Sequence, residues 1–131
     1  MILMQENRSF DTYFGTFPGA DGATTGTTST GQTVPLLRTP DKTPYDIGHN
    51  WEDAITAMNG GKMNQFDLVS KGNVNGYLLP YTQMSEATIP NYFAYARTFV
   101  LADRMFSSLS GPSLPNHLYT VAAQSGGALS N

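Results

Sequence analysis

The chain has no cysteine, so neither a disulfide frame nor a thiolate metal site is open to it. It has little charge. Asp, Glu, Lys and Arg make up 13% of its residues and the net charge is −3, which removes the basic footprint that nucleic-acid binding requires. No apolar run approaches the ~20 residues of a membrane-spanning helix. Met1-Ile-Leu-Met4 is shorter than the apolar core of a secretory leader. No internal repeat is present. Glycine and proline, by contrast, are plentiful, at 13 and 8 in 131 residues. Residues 16–48 show neither helical nor strand periodicity, and residues 23–33 are Thr/Gly-rich, so a long surface loop is expected there. A structureless stretch of more than ~20 residues is unusual inside a small compact domain. The chain also opens on an apolar strand and closes in Gly126 to Asn131 without a further element. These features predict a piece of a larger domain that does not complete a cooperative core alone.

Elsewhere the pattern is α/β, with apolar stretches expected as short parallel strands between helices. Met1 to Met4 reads as the end of a buried strand. Gln5-Glu-Asn-Arg-Ser-Phe-Asp-Thr-Tyr-Phe-Gly15 follows as a short helix. Asn7 or Ser9 is its cap, Phe10, Tyr13 and Phe14 form one face, and Gly15 ends it. Glu6 and Asn7 then lie where a strand end meets a helix start, which is where ligands gather in open α/β sheets. Their oxygens suit a divalent cation, or Asn7 simply caps a solvated turn. Asp21 and Asp41 are loop aspartates that read as solvated. Glu52 to Gly61 reads as a helix with Ala54, Ile55 and Met58 on its apolar face. Glu52 and Asp53 sit in its first turn, where the helix dipole favours acids, and Gly60 is its C-cap. His49 precedes this helix as a structural side chain, a phosphate hydrogen-bonder or a metal ligand. Residues 72–77 read as a turn. Thr88 to Phe99 reads as a helix with Thr88 as cap, Pro90 in its first turn and a stripe of Ile89, Tyr92, Phe93, Ala96 and Phe99. Residues 100–106 read as a buried strand interrupted by Asp103.

That strand leads into the stretch around which the chain is organised. It breaks at Gly111-Pro112 and restarts as a helix with Ser113 at the break. Pro115 falls in the first turn, where a missing N–H costs nothing, and Leu118, Val121 and Ala122 recur at helical spacing. A hydroxyl at a helix start meets unpaired N–H groups and the positive end of the dipole, which suits both a capping serine and a nucleophile near a phosphate.

Three stretches together carry a resemblance. They are Glu6-Asn-Arg-Ser-Phe-Asp-Thr-Tyr-Phe-Gly15, His49-Asn-Trp51 with Asn59-Gly-Gly-Lys-Met63, and residues 89–119 with Gly111-Pro-Ser-Leu-Pro-Asn-His-Leu-Tyr119. The chain resembles the bacterial phospholipase C and acid phosphatase family of phosphoesterases, within the alkaline phosphatase-like superfamily. The stretches occur in the family's order and cover most of the chain outside the Thr/Gly loop. The family usually has His where Thr12 stands, and Arg or His where His117 stands.

The resemblance implies that residues 1–131 are the N-terminal portion of one phosphoesterase catalytic domain, with an incomplete alkaline phosphatase-like fold. It implies Ser113 as the nucleophile and Glu6, Asn7 and Ser113 as contacts of a divalent metal ion of unassigned identity. Asn7 and His49 become phosphate contacts, and His49 also a catalytic group. Further ligands of the family, an acidic pair and more histidines, come from a C-terminal half, so the 131 residues alone are expected to be inactive. The implied substrate is a phospholipid or another phosphate ester. Acid phosphatase action on monoesters and a non-catalytic phosphate-binding remnant are the alternatives. The implied compartment is outside the inner membrane, secreted or periplasmic.

Overall fold

Ser9 starts the first helix as a cap. Its hydroxyl accepts the Thr12 N–H at 3.2 Å, and α1 runs Phe10–Phe14. The computed structural model describes residues 6–40 and 42–131, so the strand expected at Met1 to Met4, and Asp41, lie outside the described residues. The remaining elements, in order, are β1 (Thr25–Thr27), β2 (Thr33–Pro35), β3 (Leu37–Arg38), α2 (Trp51–Met58), β4 (Thr82–Gln83), α3 (Pro90–Thr98) and α4 (Ser113–Ala122). Short 3-10 turns at Asn59–Gly61 and Leu79–Tyr81 complete the set. The chain is mixed α/β with short strands in small sheets. β1 and β2 pair antiparallel, with Gly26 opposite Val34, and β3 and β4 pair parallel, with Leu37 opposite Thr82.

Three expectations fail here. Residues 16–48 are not free of regular structure: β1, β2 and β3 all lie within them. Each strand is two or three residues long, too short for its alternation to register as a period. Among the described residues, the expected parallel strands are confined to one pair. Residues 100–106 form no strand. Val100 is 89% exposed and Phe106 84%, and among the described residues nothing pairs with their backbone. An apolar run becomes a strand only where a partner takes its N–H and C=O groups.

The helices follow their sequence signals more closely. α2 ends at Asn59, which adopts the left-handed conformation (φ 42°), and Gly60 follows at φ 63°. The cap is therefore one residue earlier than expected, on an Asn that tolerates positive φ. Pro90 opens α3, and the cap position falls on Ile89 rather than on Thr88. Of the α3 stripe only Phe93 is fully buried, while Phe99 is 72% exposed.

The fold divides into two compact units. One holds residues 7–103; the other holds Glu6 with residues 104–131. In the larger unit Phe93 packs against Phe14 and Phe17, with ring centroids 5.8 and 5.3 Å apart. The Arg97 guanidinium lies over Phe17, 5.7 Å from its centroid, and is held there by a two-pronged ion pair with Glu86. A second cluster forms under the hairpin. The Tyr81 hydroxyl donates to the Thr27 carbonyl at 2.9 Å and to Asp67 at 3.0 Å. Asp67 also accepts the Ser29 N–H, at 2.9 Å, and the Ser29 hydroxyl. Gly26 fits over the Tyr81 ring, where a Cβ would come within 2.8 Å of a ring carbon.

Candidate active site

The smaller unit is built on α4. Pro112 precedes it in an extended conformation and Ser113 is its first residue, so the break at Gly111-Pro112 falls where the sequence places it. Pro115 is fully buried and anchors the first turn. Ser113 is half-buried, and its hydroxyl makes no hydrogen bond among the described residues. The loop before it is held by Asn116, whose Oδ1 accepts the Leu109 N–H at 3.0 Å and whose Nδ2 donates toward the Leu109, Gly111 and Pro112 carbonyls. The Leu114 N–H, in the first turn, donates to Asn131 Oδ1 at 2.8 Å.

His117 stands four residues after Ser113, one helical turn along the same face, so their Cβ atoms are about 6 Å apart. Its Nε2 lies 3.3 Å from Glu6 Oε1. Glu6 is thereby carried to the Ser113 face of α4, an acidic oxygen and an imidazole nitrogen side by side. Sequence alone assigns Asn116 no site role and marks His117 only as a position where the family has Arg or His. The i, i+4 spacing of Ser113 and His117 on a helix was the signal available for the second.

The larger unit carries the other two expected residues. Asn7 adopts the left-handed conformation (φ 57°), and its carbonyl accepts from Arg8 Nη1 at 2.7 Å. His49 lies in the loop before α2, with its Nδ1 2.9 Å from the Ile47 carbonyl and 3.6 Å from Asp46 Oδ2. A carbonyl only accepts, so Nδ1 carries the proton and Nε2 holds the lone pair of the neutral ring. Nε2 can donate only when the ring is protonated. Asn7 and His49 both border a cavity of about 340 Å³ whose floor includes Ala57, Phe66, Val69 and Leu79.

Asp53 fixes the His49 loop. Its carboxylate accepts the Ser70 N–H at 2.9 Å and the Asn50 N–H at 3.3 Å, while the Gly48 N–H reaches the Ser70 carbonyl at 2.7 Å. A Cβ at Gly48 would run into that carboxylate. Read from sequence as an acid favoured by the dipole, Asp53 is also the tie between two loops.

Within one unit, then, the structure brings Glu6 to the helix of Ser113; within the other it puts Asn7 and His49 on one cavity. Among the described residues no three His, Asp or Glu side chains cluster as a metal site. Glu6, His117 and Ser113 supply oxygen, nitrogen and oxygen along one face, a donor set that fits part of the shell of a divalent ion. No described helix is long and apolar enough to cross a membrane.

A family profile described as the Phosphoesterase family matches residues 1–131. The chain belongs to that family. It is 29% identical to phospholipase C A of Mycobacterium tuberculosis over 94% of this chain and 28% of the relative. It is 31% identical to the non-hemolytic phospholipase C of Pseudomonas aeruginosa, over 91% of this chain and 19% of that protein. It is also 27% identical to non-specific phospholipase C3 of Arabidopsis thaliana, over the whole chain and 30% of that protein. The chain spans less than a third of the length of these curated relatives.

Proposed function

We propose that the protein to which these residues belong hydrolyses phosphate esters, phospholipase C-like, through Ser113 as nucleophile. The observation that carries this reading is the placement of Ser113 at the head of α4 with Glu6 against His117 one turn along the same face, in a chain of the Phosphoesterase family. The names of the relatives support a phospholipid substrate.

Glu6 and Asn7 would hold a divalent cation through oxygen, with Ser113 as a further contact. Such an ion, when bound, favours the serine alkoxide and offsets negative charge on the phosphoryl group. The Ser113 oxygen attacks phosphorus in line with the ester oxygen, which departs as the alcohol. Asn7 and the first-turn amides of α4 contact the equatorial oxygens, where charge accumulates. The resulting phosphoserine is then hydrolysed by water. His49 donates from Nε2 to a phosphate oxygen or to the departing alcohol, and it does so as the imidazolium, because Nδ1–H is committed to the Ile47 carbonyl. The proposal takes residues 1–131 as the N-terminal part of a single alkaline phosphatase-like domain. The remaining metal ligands come from outside these residues, so the 131 residues alone are inactive. It also takes the enzyme to be exported.

The test is Ser113→Ala in the full natural chain. A fall in kcat of roughly 10³-fold or more is expected with folding intact; retained turnover removes Ser113 from the mechanism. Phosphatidylcholine assayed beside a phosphomonoester separates a phospholipase C from an acid phosphatase. Chelator should abolish activity, and added divalent metal should restore it; activity indifferent to chelator contradicts the metal-assisted scheme.

A further inference from the structure

Asn116 spends its entire amide on the backbone just ahead of Ser113. Its Oδ1 accepts the Leu109 N–H at 3.0 Å. Its Nδ2 faces the carbonyls of Leu109 at 3.0 Å, Gly111 at 3.3 Å and Pro112 at 3.1 Å. Two N–H bonds serve three carbonyls, so at least one is shared. Every partner is main chain and lies within the four residues before Ser113. Among the described residues, residues 109–111 make no backbone–backbone hydrogen bond. Among the described residues, one side chain on the helix that Ser113 begins supplies the hydrogen bonds that hold the chain's path into Ser113.

Ser113 has no hydrogen bond of its own to hold its oxygen among the described residues. Its place rests on the backbone that delivers it, and the last link of that backbone is the Pro112 carbonyl on Asn116 Nδ2. In-line attack needs the oxygen within about 3.5 Å of phosphorus and aligned with the leaving group, and a displacement of about 1 Å costs on the order of 10²-fold in rate. We propose that Asn116 is the positioning residue of the Ser113 nucleophile. This inference rests on the serine reading above and adds the group that aims the serine.

The decisive variant is Asn116→Asp in the full natural chain with divalent metal supplied. It keeps the size and the acceptor for Leu109 N–H but replaces both Nδ2 protons with an oxygen turned toward three carbonyls. The expected result is a folded protein whose kcat falls on the order of 10²-fold, with KM and inhibition by inorganic phosphate unchanged. Asn116→Ser, which retains one donor, should lose less. Wild-type kcat in either folded variant overturns the inference. So does a loss of phosphate binding in step with kcat, or failure of both variants to fold, since Asn116 would then serve the fold alone. Ser113→Ala is assayed alongside. If it stays active, the serine reading fails and the inference with it; if it is dead while Asn116→Asp is fully active, the inference alone fails.

Discussion

Asp67 shows how a single carboxylate sets a pH limit. Burial pushes its carboxyl up, but hydrogen bonds from the Ser29 hydroxyl and N–H and from Tyr81 together outweigh this and hold it below the usual aspartate range. A lowered folded pKa stabilises fully above the unfolded value, near 4, and that contribution disappears as pH falls through the folded value. We expect the urea midpoint to decline below pH 4, with a shallower decline in Asp67→Asn; equal slopes would show that Asp67 does not govern it. Tyr81 titrates the other way. Burial first, then its bond to Asp67, pushes the hydroxyl up to about 12. Its contribution is complete below the unfolded value near 10 and is lost as pH rises through about 12. Tyr81→Phe strands the Thr27 carbonyl and one Asp67 contact, and should cost about 1–3 kcal/mol by denaturant titration. None of this was legible in the sequence. Residues 29, 67 and 81 are far apart in the chain, and no spacing rule joins a serine in a Thr/Gly-rich stretch to an aspartate and a tyrosine.

At the scale of elements, legibility followed capping. Ser9 and Pro112 announce the starts of α1 and α4, because a helix needs its first N–H groups satisfied or absent and few residues provide that. The break at Gly111-Pro112 and the position of Ser113 were readable for the same reason. Strands were not. β1 contains Gly26, which no propensity favours in a strand, and it is there because the Tyr81 ring occupies the space of a side chain. Gly26→Val should therefore destabilise the hairpin by about 1–3 kcal/mol despite the higher strand propensity of valine. A neutral or stabilising result would mean that the ring moves aside freely. Phe93, by contrast, was visible as part of an apolar stripe. Its truncation to Ala should cost about 3–5 kcal/mol, the largest loss expected from one core position.

The whole molecule is two units with a boundary between Asp103 and Arg104. Among the described residues, residues 100–108 make no backbone–backbone hydrogen bond, and most of them are exposed. Proteases cut where backbone is accessible and weakly held. Limited trypsin treatment of the 131-residue chain should cut first after Arg104, giving fragments 1–104 and 105–131 by mass. A first cut after Lys62, Lys71 or Arg97 would contradict that boundary. The sequence hid this division because residues 99–106 look like core: Phe99, Val100, Met105 and Phe106 are apolar yet 72%, 89%, 59% and 84% exposed. Hydrophobicity states a preference for burial; only the surrounding structure decides whether it is met. The start of α2 has one more consequence. Trp51, the lone tryptophan of these 131 residues, is the first residue of that helix, two positions after His49 on the cavity rim. Its indole is a resident optical probe. Emission from these residues therefore follows the start of α2, beside the loop that Asp53 ties to Ser70, in real time and without attaching a dye.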